Sequence, residues 1–155
     1  MWALRTLMIL ALIVWIGGII FFAFVLAPTL FTVLPSPQMA GDVVSPALSK
    51  LHCIGLVSGA VFLICCLLYD RIRYARFRLF TTANLLIVVM LILTAISQFS
   101  ITPRMHELRS SNMNSASAHA EFDSLHAWST RLEGTVLVLG LVVVVVTARR
   151  LGNSS

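Results

Sequence analysis

The sequence predicts an all-α integral membrane protein, a four-helix bundle with a partly helical polar loop between its third and fourth spans. Of its 155 residues, 59% are hydrophobic and 11% are charged, whereas charged residues make up roughly a quarter of a soluble domain. The apolar residues form four runs, each close to the ~20 residues that cross a hydrocarbon core. Four spans occupy nearly the whole chain, so we expect one membrane domain and no soluble one.

The first apolar run begins at Leu7 and continues past Pro28. It is longer than the apolar part of a secretory signal, about 7–15 residues, and is therefore expected to remain as an anchor. Pro28 lacks a backbone N–H and should bend this span. We expect the domain to cover residues 1–151, with spans at about 5–34, 47–69, 79–101 and 129–148 and a disordered tail at 152–155.

Span two is marked by a capping signal and by small residues. Ser45 followed by Pro46 is expected to be an N-cap and the first helical position. Gly55 and Gly59 lie four residues apart on one helical face and predict close contact with another helix. The chain has three cysteines, all in this span, and their placement predicts no disulfide framework.

Polar residues in spans three and four predict where those helices face the bundle. Gln98 should turn inward, because an amide in lipid has no partner. Pro103 is expected to end span three. Glu133 lies inside the start of a helix that is nearly pure Leu and Val. An unpaired carboxylate there is unfavourable, so we expect a partner such as Arg104 or Arg131.

The basic residues predict the orientation of the chain. Seven of the eleven fall on the side shared by the N-terminus, the loop after span two and the C-terminus. The positive-inside rule therefore predicts that both termini are cytoplasmic and that the long polar loop faces outward. Because the arginines lie at helix ends, anionic lipid headgroups account for the positive charge, and no nucleic-acid partner is predicted. The seven are Arg5, Arg71, Arg73, Arg76, Arg78, Arg149 and Arg150.

The polar stretch 101–134 holds three of the four histidines and four of the six acids. If residues 118–130 are helical, His119, Asp123 and His126 share one face at spacings i, i+4 and i+7. With His106 or His52 as a further ligand, this set predicts a Zn²⁺ or Cu²⁺ site. The alternative for the same spacing is a solvated polar face on a membrane-surface helix.

A second cofactor hypothesis uses two histidines alone. His52 and His126 lie near the outer boundary on different spans, and paired imidazoles are common axial haem ligands in membrane bundles. A third interpretation is structural, in which charged side chains pair over the mouth of the bundle. Its basic members are Arg104, Arg109 and Arg131, and its acids are Glu107, Glu121, Asp123 and Glu133.

Several segments resemble the transmembrane protein 205-like domain family, small four-span proteins of largely unknown function. The resemblance lies in Trp15-Ile16-Gly17-Gly18 with Ala27-Pro28, in Thr102-Pro103-Arg104-Met105, and in Phe122 with Leu125-His126 and Ser129. It implies a four-helix membrane fold and directs attention to Arg104 and His126. The opening of span one also resembles, more loosely, copper-resistance D-type membrane domains, which would imply a metal-related role.

Together these patterns favour a non-enzymatic multi-pass membrane protein that handles a metal ion or a small solute at its outer polar end. The alternative function is a haem-binding redox protein that uses His52 and His126. Transport would need a polar path, and its candidates are Asn84, Thr94, Ser97 and Gln98 in span three. These are few, so transport would require an oligomer. The partners expected are the lipid bilayer and either a second copy or another membrane protein.

Overall fold

The computed structural model describes residues 1–75, 80–110 and 116–152. Within these residues the structure is all helical, and four helices are long and apolar enough to cross a membrane, which confirms the predicted fold class. The expected tail lies outside the described residues from position 153 onward. The helices are α1 (Trp2–Phe21, π-helix Phe22–Leu26, Ala27–Val33), α2 (Pro37–Tyr74), α3 (Thr82–Ile96, π-helix Ser97–Ile101, Thr102–Ser110) and α4 (Ala116–Gly152).

A π-helical turn precedes the proline in both α1 and α3. In α1 the Ala27 N–H reaches the carbonyl of Phe22, one residue before Pro28. In α3 the Thr102 N–H reaches the carbonyl of Ser97, one residue before Pro103. A proline ring clashes with the carbonyl four residues earlier, and the wider turn makes room for it.

Pro103 therefore does not end span three, and that prediction is wrong because the helix continues to Ser110. Helix α2 also begins earlier than expected. Its N-cap is Ser36, whose side chain accepts a hydrogen bond from the Met39 N–H at 3.3 Å, and Pro46 lies inside the helix. A membrane bundle tolerates internal prolines, since neighbouring helices and local π turns satisfy the freed backbone groups.

The four helices form a closed ring in chain order. Helix α1 packs against α2, α2 against α3, α3 against α4, and α4 against α1. Helices α2 and α4 are therefore diagonal to each other. Their apolar faces meet in a core centred on Trp15, Phe62, Met90 and Val143, each at most 2% exposed.

The glycines of α2 provide the close contact that the sequence predicts. A Cβ atom added at Gly55 or Gly59 would overlap the indole ring of Trp15. Gly140 of α4 similarly faces Ile16 of α1. Without side chains at these positions, α1 approaches its two neighbours closely, as small residues allow in membrane helices.

Replacement of Gly55 by alanine tests this contact. We expect Gly55→Ala to lower the free energy of unfolding by about 1–3 kcal/mol, because the new methyl group displaces Trp15 from a filled core. The matched control is Gly17→Ala, since a Cβ there has no atom within 4 Å. That variant should be unchanged or up to about 1 kcal/mol more stable. Equal behaviour of the two variants in denaturant titrations in detergent micelles would contradict the packing described.

Candidate functional site

A buried polar network joins three helices at one end of the bundle, which we call the histidine end. His52 of α2 is 2% exposed. Its Nε2 lies 2.5 Å from Oε1 of Glu133 in α4, and its Nδ1 lies 3.0 Å from Oε1 of Gln98 in α3. The Gln98 amide nitrogen in turn donates to Oγ of Ser49 at 2.8 Å. The network thus connects α3 with the two diagonal helices, α2 and α4.

The π turn of α3 helps to position Gln98. It puts an extra residue into the turn and so changes which side chains face the bundle. Within it Ser97 and Ile101 are buried and Gln98 is half-buried, whereas Phe99 is 70% exposed. The inward position predicted for Gln98 is confirmed, and its partners are His52 and Ser49.

The orientation of the Gln98 amide fixes the proton on one side of the imidazole. Because its nitrogen donates to Ser49, its oxygen is left to accept from Nδ1 of His52. Nε2 then faces the Glu133 carboxyl, and one proton must lie between them for a hydrogen bond to form. Whether that proton belongs to the imidazole or to the carboxyl group, the pair has no net charge.

Glu133 has the buried partner that its position demands, but the partner is His52 and neither Arg104 nor Arg131. Arg104 instead donates to Glu121 at 2.8 Å and to Glu107 at 3.1 Å, two of the acids expected opposite it. The Arg131 guanidinium lies over the ring of Trp128, 5.6 Å from its centroid. Both arginines are exposed, so the buried partner of Glu133 is His52.

A cavity of about 370 Å³ lies beside this network, between α1 and the other helices. Its walls are mostly apolar, and Glu133 is the acidic group among the residues that line it. The segment of α1 that follows the start of the π turn forms one wall. The lining is Ile19, Phe22, Ala23, Ala27, Pro28 and Phe31 of α1, Gly41, Val44, Ser45 and Leu48 of α2, Met105 and Arg109 of α3, and His126, Ser129, Thr130 and Glu133 of α4.

Arg109 is the basic counterpart in the lining and is held by several contacts. It donates to Oγ of Ser45 at 3.0 Å and lies 3.6 Å from the carboxylate of Asp42. Its guanidinium lies 5.3 Å from the ring centroid of Phe122, on which His126 stacks. The positive charge of Arg109 is therefore already compensated within the protein.

The opposite end of the bundle, which we call the arginine end, has its own polar contacts between the diagonal helices. Asp70 of α2 is fully buried and pairs with Arg150 of α4, which also donates to Sγ of Cys66 at 3.2 Å. Tyr69 accepts a hydrogen bond from Arg5 at 2.9 Å. Asp70 lies just beyond the end expected for span two at residue 69, and the helix in fact continues to Tyr74. A lone acid among arginines is a sequence signal for such a pair.

The structure does not arrange the proposed metal ligands as a metal site. His106, His119, Asp123 and His126 are all exposed. His119, Asp123 and His126 line a second, smaller cavity together with Phe122, as their shared face predicts. Among the described residues, however, no three His, Cys, Asp or Glu side chains are close enough to hold a metal ion. The Zn²⁺ or Cu²⁺ site stays a prediction without support from the geometry.

The haem hypothesis likewise stays a prediction. Iron ligation needs a free ring nitrogen on each histidine. Both nitrogens of His52 are engaged, one by Gln98 and the other by Glu133. The buried histidine is thus committed to a protein network, and His126 lies exposed against Phe122.

Removal of the Glu133 carboxyl group tests the network. We expect Glu133→Ala to lower the free energy of unfolding by about 1–3 kcal/mol, because Nε2 of His52 would be buried without a partner. Glu107→Ala is the matched control, since that side chain is 68% exposed and should change stability by no more than about 0.5 kcal/mol. Thermal unfolding in detergent micelles measures both. Equal melting temperatures for Glu133→Ala and the wild type would mean that the pair contributes nothing.

Comparison with known families identifies the family of this chain. The model of a domain of unknown function, DUF4149, matches residues 10–114, which include α1 from Leu10 onward and the whole of α2 and α3 with Gln98. Searches among curated proteins and among solved structures found no significant match. Since the matched region covers well over half of the sequence, the chain belongs to the DUF4149 family.

Proposed function

We propose that this protein is a non-enzymatic membrane protein that binds a small amphiphilic solute in the cavity at its histidine end. The observation that carries the proposal is the cavity itself, about 370 Å³ with apolar walls and a few convergent polar groups. Ligand sites in proteins are usually concave, mostly apolar and about 300–1,000 Å³ in size. A single small molecule with an apolar body and one polar group fits that description.

The lining of the cavity offers separate contacts for the apolar body and for the polar group of a ligand. Phe22, Ala27 and Phe31 of α1 offer an apolar wall for its body. Glu133 and the hydroxyl group of Thr130 on α4 offer hydrogen-bonding positions for its polar group. A solute that is apolar throughout would leave the Glu133 side of the cavity without a partner, so an amphiphile is favoured.

The packed middle of the bundle favours binding over conduction. Trp15, Phe62 and Met90 lie in the core and are at most 2% exposed. These side chains leave no continuous polar route between the two ends within the described residues. Transport would require a second copy or a rearrangement of the bundle, in agreement with the expectation that the polar residues of α3 are too few for a path.

We propose further that the histidine end faces outward and that both termini are cytoplasmic. The support is the count of basic residues in the sequence, seven of eleven on the side shared by the N-terminus, the loop after span two and the C-terminus, together with the positive-inside rule. The resemblance to transmembrane protein 205-like domains agrees with a small four-span protein, and it stays a proposal beside the family match. A metal-handling role would need ligands that the described residues do not bring together.

Filling the cavity tests the binding proposal. We expect Ala27→Phe to weaken binding of 3-phenylpropanol by about tenfold or more, because the new ring occupies the space that the ligand needs. Ala60→Phe is the control, since Ala60 is exposed on α2 and does not line the cavity. The methyl resonance of ¹³C-labelled Met105, which lines the cavity, reports binding in lipid nanodiscs. Equal affinity in the two variants would contradict a site in this cavity.

Cysteine labelling tests the orientation. A Tyr74→Cys variant, made with Cys53→Ala to remove the exposed native thiol, should resist a membrane-impermeant maleimide added to intact cells. A Glu107→Cys variant in the same background lies at the opposite end of the bundle and should be labelled. The reverse pattern would overturn the proposed orientation.

A further inference from the structure

We propose that His52 and Glu133 together hold one exchangeable proton, and that the cavity takes a protonated amine that replaces it. This inference rests on the proposed function and names the chemical class of its ligand. The ligand would be a small amphiphile with an apolar body and an ammonium group.

The hydrogen bonds of the network fix the proton count. Gln98 accepts from Nδ1 of His52, so the 2.5 Å contact between Nε2 and Glu133 contains a single proton. The pair is therefore neutral as imidazolium with carboxylate, or as imidazole with carboxylic acid. A neutral pair suits a position away from bulk water, where an uncompensated charge is unfavourable.

The carboxyl group is the member of the pair that meets the cavity. The side chain of His52 is 1% exposed and that of Glu133 is 17% exposed, and Glu133 alone of the two lines the cavity. Its Oε1 is bound to His52, and among the described residues Oε2 has no protein hydrogen-bond donor. A ligand in the cavity would therefore form its hydrogen bond with Oε2, and it would affect His52 only through Glu133.

Charge balance then favours exchange over simple addition. An ammonium group that bound beside the intact pair would give the site a net charge of +1. If the ammonium N–H donates to Oε2 and the shared proton leaves for the solvent, neutral His52, anionic Glu133 and the cation sum to zero. One proton is released for each cation bound, and no bond other than the transferred N–H or O–H is broken. The occupied site then has the same net charge as the empty one.

The other ionisable groups around the cavity do not offer an equivalent site. The lining residues of α1 are apolar. From α2, Asp42 faces Arg109 of α3, which is also bonded to Ser45. From α4, His126 is exposed and stacks on Phe122. An anionic ligand would lie in the same cavity as the Glu133 carboxyl group, and its charge would oppose proton release.

Calorimetry on the wild-type protein in lipid nanodiscs tests the exchange. Binding of 3-phenylpropylammonium is measured in buffers with different enthalpies of ionisation, so that the number of released protons is obtained directly. We expect about one proton per ligand where the pair holds its proton, and an affinity that falls about tenfold for each unit by which the pH is lowered. Binding without release, and without pH dependence, would overturn the proposal.

Matched ligands and variants identify the group that loses the proton. The alcohol 3-phenylpropanol has the same body and no charge, and it should bind without proton release. In Glu133→Gln the ammonium compound should lose its advantage over the alcohol, whereas in His126→Gln the release should persist. Release that vanishes in His126→Gln and survives in Glu133→Gln would overturn the assignment. If the alcohol binds and the ammonium compound is not preferred, this inference fails while the proposed function stands; if neither binds, the proposed function fails.

Discussion

The structure depends on polar bridges between two helices that do not pack closely side by side. Helices α2 and α4 are diagonal in the ring, yet His52 with Glu133 joins them at one end and Asp70 with Arg150 at the other. The residues His52 and Asp70 are separated along α2 by about 27 Å of helical rise, close to the ~30 Å of a hydrocarbon core. Removing one partner of a buried pair leaves an unsatisfied group, and this penalty fixes the register of the two helices.

The same bridges explain why the cavity lies where it does. Between the two polar ends the core is filled, because Trp15 packs on glycines of α2 and Ile16 meets Gly140 of α4. Beyond the π turn at Phe22–Leu26, by contrast, the residues of α1 are not buried. Since His52 and Glu133 set the spacing of α2 and α4 at this end, the space beside α1 remains open and forms the cavity.

The sequence predicts the fold well and the site only in part, for physical reasons. Four apolar runs, the Gly55 and Gly59 pair and an inward Gln98 follow from length, spacing and the cost of burying polar groups in lipid. The same cost predicts that Glu133 needs a partner, but it does not name a residue 81 positions away. Pro103 was expected to end a helix because proline breaks helices in soluble proteins. In a membrane bundle, neighbouring helices and a π turn satisfy the backbone groups that proline frees, and the helix continues. A single sequence does not show which histidine side chains are buried, so the exposed histidines and the buried His52 were equal candidates for a site.

Glu133 has two roles, and their combination limits how the site can work. It is the acceptor that compensates His52, and it is also the acidic group that faces the cavity. Any ligand that bonds to Oε2 therefore changes the charge distribution seen by His52, and through it the hydrogen bonds to Gln98 and Ser49. Gln98 lies in the π turn of α3. A ligand that altered the hydrogen bonds of Gln98 would therefore also act on this turn. The site is thus built into the interaction that holds α2 and α4 together, so occupancy and stability of the bundle are linked.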